Sequence, residues 1–180
     1  AHFAEIVALA NQVHGDNYLD LKSLTQLYPR GIKHGINAGF VALADEKLVG
    51  YRLSYAAGQW LLDKWCSVEL WPVAADKMAY FKSVAVAPAL QGQGLGPALL
   101  KASVSALQQQ GAAAGLAHIW QQSPNNAAQR YFTKAGAILL RVHPDRWLHL
   151  SETANYICPL CGDRCHCSAA EMALTFEPAS

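Results

Sequence analysis

The chain has 180 residues, 52% of them hydrophobic and 15% charged, with a net charge of +1. That is apolar enough for one folded domain, or a domain with a small appendage, and it excludes a disordered polymer. No block of Lys or Arg gives a footprint for nucleic acid or an anionic membrane surface, and no apolar run has the length of a transmembrane helix. The N-terminus shows no basic segment followed by an apolar core, so no signal peptide is visible. Five cysteines, an odd number with four crowded near the C-terminus, do not form a secreted disulfide framework. A cytoplasmic protein, monomeric or homodimeric, is the expectation.

In chain order, Phe3, Ile6, Val7, Ala10 and Val13 recur at helical spacing up to His14, and Gly15-Asp16-Asn17 reads as a stop. A second helix is predicted from the candidate N-cap Asp20 through Leu21, Leu24 and Leu27, disturbed at Pro29. Phe40–Ala44 and Leu48–Tyr55, joined at Asp45-Glu46, read as a β-hairpin. Residues 58–78, with Trp60, Trp65 and Trp71, read as a long connection. Tyr80–Val86 is a strand. A helix follows from about Pro97 to Gln110, ended by Gly111. Leu116–Trp120 is a strand and Asn125–Ala135 a helix ended by Gly136. Ile138–Val142 and Arg146–Leu150 read as antiparallel strands around His143-Pro144-Asp145.

Between the strand at 80–86 and the next helix lies Gln91-Gly92-Gln93-Gly94-Leu95-Gly96. Three glycines in five residues let backbone approach a phosphate with no Cβ in the way. The helix start adds unpaired N–H donors and the positive end of its dipole. The segment therefore reads as a pyrophosphate cradle. It is not a Walker loop, which needs Lys-Ser or Lys-Thr after the last glycine, and the third glycine is out of register for a Rossmann turn. What fits is Q-x-x-G-x-G, at Gln91, Gly94 and Gly96. With Val84-Ala85-Val86-Ala87-Pro88 before it and Leu99-Leu100 after it, the segment resembles the acetyl-CoA-binding motif of the GNAT family of N-acetyltransferases. Asn125, Ala128, Lys134 and Gly136 match that family's later motif, at the expected separation.

The resemblance covers roughly residues 3–150. It implies an α/β (α+β) acyl-CoA N-acyltransferase fold, a mixed, mostly antiparallel sheet flanked by helices. The family usually opens with a strand, and here the first helix begins almost at once, so the first edge strand is expected to be missing. By resemblance, Gln91, Gly92, Gln93, Gly94, Leu95 and Gly96 would hold the pyrophosphate of acetyl-CoA. Val84 and Val86 would offer backbone groups to the pantetheine arm. Asn125 would contact the coenzyme or simply cap its helix.

The implied reaction is direct attack of a primary amine, on a small molecule or a peptide, upon the thioester in a ternary complex. It needs a proton acceptor for the amine, a donor for the carbonyl oxyanion, and a proton for the leaving thiolate. The backbone N–H near Val86 suits the oxyanion. The family often supplies the thiolate's acid as a Tyr four residues before the glycine; that position is Phe132, here a coenzyme contact. Tyr131 beside it would point about 100° away on an ideal helix. The family's carboxylate positions correspond to Tyr80 and Trp120. Titratable groups near them are His118, Glu69, Asp76 and Lys82. The catalytic candidates are thus His118, Tyr131 and Glu69, with a satisfied core histidine and a packed tyrosine as the plainer readings. Phe132, Tyr80 and Trp120 equally favour an alternative, a non-catalytic acyl-CoA-binding or regulatory module. The three tryptophans of 58–78 either wall an acceptor pocket or fill the core under a loop.

Residues 151–180 read as a separate cysteine-rich extension of the 1–150 domain. Cys158-Pro159-Leu160-Cys161-Gly162 looks like a zinc knuckle, since C-x-x-C turns two thiolates to one point and the glycine lets N–H groups face the sulfurs. Cys165 and Cys167 would complete a four-sulfur site, unless His143, His149 or His166 replaces one; disulfides or free thiols are the other reading. The expected role is a structural staple or an interaction surface.

Overall fold

The computed structural model of the protein describes residues 1–178. Helix α1 (Phe3–His14) buries Ile6, Leu9 and Ala10 at the expected spacing. Gly15 ends it at φ +113°. Helix α2 (Leu21–Leu27) opens on Asp20, whose carboxylate accepts the Ser23 N–H at 2.7 Å. Pro29 then tightens the chain into a single turn over Tyr28–Gly31. A two-residue hairpin, β1 (Ile32–Lys33) with β2 (Ile36–Asn37), stands apart from the main sheet.

That sheet contains β3 (Phe40–Ala44), β4 (Lys47–Tyr55), β5 (Met78–Val86), β6 (Ala114–Trp120), β7 (Ile138–His143) and β8 (Ala169–Thr175), in the order β3-β4-β5-β6-β8-β7. Only β5 and β6 are parallel, so the sheet is mixed and mostly antiparallel. Among the described residues no strand precedes α1, and the sheet begins at β3. Asp45 and Glu46 turn the β3–β4 hairpin with positive φ, the handedness that suits strand twist. Helices α3 (Leu95–Gln109) and α4 (Ala127–Lys134) pack Leu100, Leu107 and Phe132 on Phe81 and Met172. On a second core, α1 and α2 pack Ile6, Leu9 and Leu24 on Tyr51, Leu53 and Ala85. No helix among the described residues is long and apolar enough to cross a membrane.

The C-terminal region departs from the sequence reading. Residues 146–150, expected as a strand, lead instead into a short helix, α5 (Leu148–Thr153). The partner of β7 is β8, which lies between β6 and β7. Residue 150 lies within α5, in the connection between β7 and β8, and residues 169–175 beyond it supply an interior strand of the sheet.

The feature that positions the chemistry is an interruption of the ladder. β5 pairs with β6 only from Met78–Tyr80 to Ala114–Leu116. Beyond that point β6 is satisfied by β8 along its whole length, and the two parallel strands part into a V. Between Ser54↔Phe81 and Leu53↔Ser83, Lys82 is an extra residue, a β-bulge that bends β5 where the V opens.

Candidate active site

One lip of the V is the outer edge of β5. Ala87 N–H donates to Val49 O at 2.8 Å, so the odd-numbered residues turn toward β4. Antiparallel alternation then aims the N–H and C=O groups of Val84 and Val86 into the gap. Side chains confirm the direction: His14 Nε2 donates to Val84 O at 2.7 Å and Gln91 Nε2 to Val86 O at 3.1 Å. The two carbonyls are thus occupied, and the N–H groups expected to meet an acyl chain still face the opening. His14, the last residue of α1, had drawn no attention in the sequence. Its burial lowers its pKa, with the Val84 carbonyl opposing and Lys82 assisting.

Past Val86, the chain turns through the glycine segment. Gly92 and Gly94 have φ near +80° and +86°, and nothing lies within 4 Å of where their Cβ atoms would be. Helix α3 starts at Leu95, two residues before the expected Pro97. None of the N–H groups of residues 92–96 has a backbone acceptor; the first intrahelical bond is Ala98 N to Gly94 O. Pro97 has no N–H to leave unpaired. Exposed donors at a helix start, with open space over two glycines, suit a diphosphate. Gln91 serves the turn through its bond to Val86 rather than facing outward.

The two aromatic residues of α4 take different places. Tyr131 donates its hydroxyl to Gly96 O at 2.8 Å, in the first turn of α3, and receives Arg52 Nη2 at 3.4 Å. Burial raises its pKa despite the Arg52 charge, so the phenol keeps its proton. Phe132, expected at the coenzyme, is instead a core residue only 4% exposed, its ring 5.8 Å from that of Phe81. Arg52 is 1% exposed, lies over Phe81 and Phe132, and has no carboxylate partner among the described residues. Asn125 does not cap α4. It is exposed in a left-handed conformation at φ +56°, and Ser123 Oγ accepts the Ala128 N–H instead.

At the vertex of the V, Tyr80 and His118 come together. Trp65 O accepts from His118 Nε2 at 2.6 Å, which fixes the proton on that nitrogen. Nδ1 is therefore the bare nitrogen, and it accepts from Tyr80 Oη at 2.7 Å. Burial lowers the His118 pKa, outweighing the Trp65 carbonyl, so the ring stays neutral below the usual histidine range. Two residues on from Trp65, Ser67 is held by Glu171, a fully buried carboxylate that the sequence reading missed. Glu171 accepts from Ser67 N at 2.8 Å, from Trp71 Nε1 at 3.1 Å and from His143 Nε2 at 2.8 Å. Burial pushes its pKa up, but these donors prevail and hold it below the ordinary value.

Glu69 does not belong to this group. It is exposed and pairs at 3.1 Å with Arg141 of β7, the far edge of the sheet. Asp76 is exposed in a turn before β5. Trp60 and Trp71 fill the core beneath residues 56–77, the Trp60 indole donating to Met78 O at 2.9 Å.

The four cysteines converge. Cys161 Sγ and Cys158 Sγ lie 3.4 and 3.8 Å from Cys167 Sγ, and with Cys165 all the sulfurs fall within 4.8 Å of one another. None is disulfide-bonded. Four sulfurs bound tetrahedrally at about 2.3 Å would stand about 3.8 Å apart, so the group fits a zinc ion. Burial disfavours the Cys158 thiolate, yet the Cys161 and Leu160 N–H groups outweigh it and lower the pKa. The Trp120 indole N–H, buried and otherwise unpartnered, bears on the Cys167 sulfur. The three histidines do not join: His143 binds Glu171, His166 pairs with Asp145, and His149 lies outside the group.

A V-shaped parallel pair, a bulge at its opening and a phosphate cradle at its lip agree with a match of residues 5–137 to the model of the acetyltransferase (GNAT) family. The chain belongs to that family. The acetyltransferase matches no curated protein in sequence. Its fold is shared by solved structures of low identity. One is the ribosomal-protein-S18-alanine N-acetyltransferase from Escherichia coli, at TM-score 0.67 and 16% identity over 99% of this chain and 90% of that one. Another is Ard1 from Thermoplasma volcanium, at 0.68 and 15% over 98% and 93%. A third is yncA from Salmonella typhimurium with its cofactor acetyl-CoA, at 0.63 and 19% over 99% and 91%. The acetyltransferase uses acetyl-CoA as its acyl donor, as its family does.

Proposed function

We propose that the enzyme transfers acetyl to a primary amine, on a small molecule or a peptide end, by direct attack in a ternary complex. The observation that carries this reading is the Tyr80–His118 pair at the vertex of the V. The amine attacks in its neutral form and must shed one N–H proton as the C–N bond forms. Tyr80 would accept it as its own phenolic proton passes to His118 Nδ1, the bare nitrogen, so the phenol is never left ionised. The N–H groups of Val84 and Val86 would steady the pantetheine arm, and the carbonyl oxyanion would meet the N–H near Val86. As the C–N bond forms and the C–S bond breaks, the thiolate takes the proton back. Tyr131 is the nearest phenol on α4, and its place beside Gly96 supports a role at the coenzyme. The N–H groups of residues 92–96 would hold the pyrophosphate, with Asn125 exposed beyond them.

The described cysteine cluster supports a second element of the reading, a structural Zn2+ held by Cys158, Cys161, Cys165 and Cys167. Release of free thiol from acetyl-CoA, measured with a panel of amines and free-N-terminal peptides, tests the reaction. Amine-dependent release is expected. Coenzyme binding without it would favour a non-catalytic module.

A further inference from the structure

Residues 144–168, the long connection between β7 and β8, have a place in the site that their distance in sequence conceals. The cysteine group packs with Tyr156 against Tyr18, Trp120 and Trp147. Toward β5 it holds the α1–α2 turn. Ile157 N–H donates to Asp16 O at 3.0 Å, Tyr156 Oη to His14 O at 2.7 Å, and Asn17 Nδ2 to Asn155 O at 2.8 Å. A Cβ at Gly15 would collide with the Ile157 carbonyl, so the two backbones meet there with no side chain between them. That turn in turn bears on the open edge of β5, through His14 on Val84 O and Tyr18 Oη on Ser83 Oγ at 3.1 Å.

Toward β6 the same segment holds the other lip. The Trp120 indole bears on Cys167, Gln121 N–H donates to Ser168 O at 3.0 Å, and Ser168 N–H donates to Gln122 Oε1 at 2.8 Å. Both lips of the V are therefore tied to one small loop. That loop has no regular structure between α5 and β8 beyond the Cys158–Gly162 bridge. A loop of this kind is rigid only when something other than a ladder fixes it, and four converging thiolates with a bound ion would do so.

We propose that the cysteine knuckle is a metal-held clasp across the mouth of the V, and that bound Zn2+ fixes the α1–α2 turn as the wall against which the acceptor amine is presented. The proposal rests on the zinc reading above. The clasp is a positioning device. It touches neither the Tyr80–His118 pair nor the glycine cradle, and reaches the pantetheine strand only through His14 on Val84 O, so metal loss loosens the acceptor side first and leaves the diphosphate cradle in place.

The test uses the full chain. Metal content by mass spectrometry is expected to be one zinc per chain. Hydrogen exchange is then followed before and after removal of the metal with a chelator. Peptides covering 11–20 and 116–123 should exchange roughly tenfold faster, while 95–109 in α3 stays protected and acetyl-CoA affinity changes less than about twofold. A variant that keeps the metal separates the clasp from general loss of structure. Tyr156→Phe removes the hydroxyl that donates to His14 O and lies beside Cys158, leaves all four thiols in place, and should quicken exchange in 11–20 by about fivefold with zinc still bound. If α3 also loses protection on chelation, this variant decides. Zinc bound with 11–20 unchanged on its removal, or unchanged in Tyr156→Phe, overturns the clasp and leaves the zinc reading standing. Absence of zinc overturns both.

Discussion

Which nitrogen of His118 carries the proton decides what the residue can do. The Trp65 carbonyl claims Nε2–H, leaving Nδ1 to receive from Tyr80. Tyr80→Phe should therefore lower kcat by about 10- to 100-fold while KM for acetyl-CoA changes little, measured by steady-state thiol release. Because burial lowers the His118 pKa, the acid limb of kcat/KM should fall below the ordinary histidine range. An acid limb at the ordinary value would remove His118 from the proton path. Arg52 presents the reverse case, a buried cation with an unpartnered Nε and two aromatic faces as neighbours. Arg52→Met should hold or raise the thermal midpoint, by an amount on the order of 1 kcal/mol, since it removes an uncompensated buried charge.

At the level of single elements, the strand–loop–helix unit 78–109 was legible because its glycines are local necessities. Gly94 needs its positive φ wherever the chain folds. Gly94→Ala should strain the turn and weaken acetyl-CoA binding by about tenfold or more, read by calorimetry, with a smaller effect on the thermal midpoint. The vertex of the V depends on Gly115, where any Cβ would collide with the Phe81 ring. Gly115→Ala should cost roughly 1–3 kcal/mol of stability in denaturant titration. β8 was not legible. Ala169-Ala170-Glu171-Met172-Ala173-Leu174 is a run of good helix formers, and only pairing on both sides makes it a strand. Arg146–Leu150 failed in the opposite sense: the turn before it suggested a hairpin, but β8 takes the inner side of β7, its outer side stays an edge, and the segment leads into α5. Tyr80, His14 and Glu171 owe their roles to partners 38, 70 and 104 residues away, which no local pattern encodes.

For the whole molecule, burial lowers the pKa of both His14 and His118 below the ordinary histidine value of about 6.5. The unfolded chain then binds more protons than the folded one as pH falls below that value. The stability these residues contribute is present above about pH 6.5 and is lost as pH falls through their folded values. The thermal midpoint should drop between about pH 7 and pH 5, and replacing both residues with Gln should flatten that dependence.

β8, the last strand among the described residues, is also an interior strand of the sheet. A nascent chain that has emerged only as far as residue 168 holds two bare strand edges facing each other across a slot one strand wide. The sheet can therefore close only after residues 169–175 have emerged. Until then the slot would accept the same seven residues from another copy, which makes strand exchange between chains the hazard of an interrupted translation.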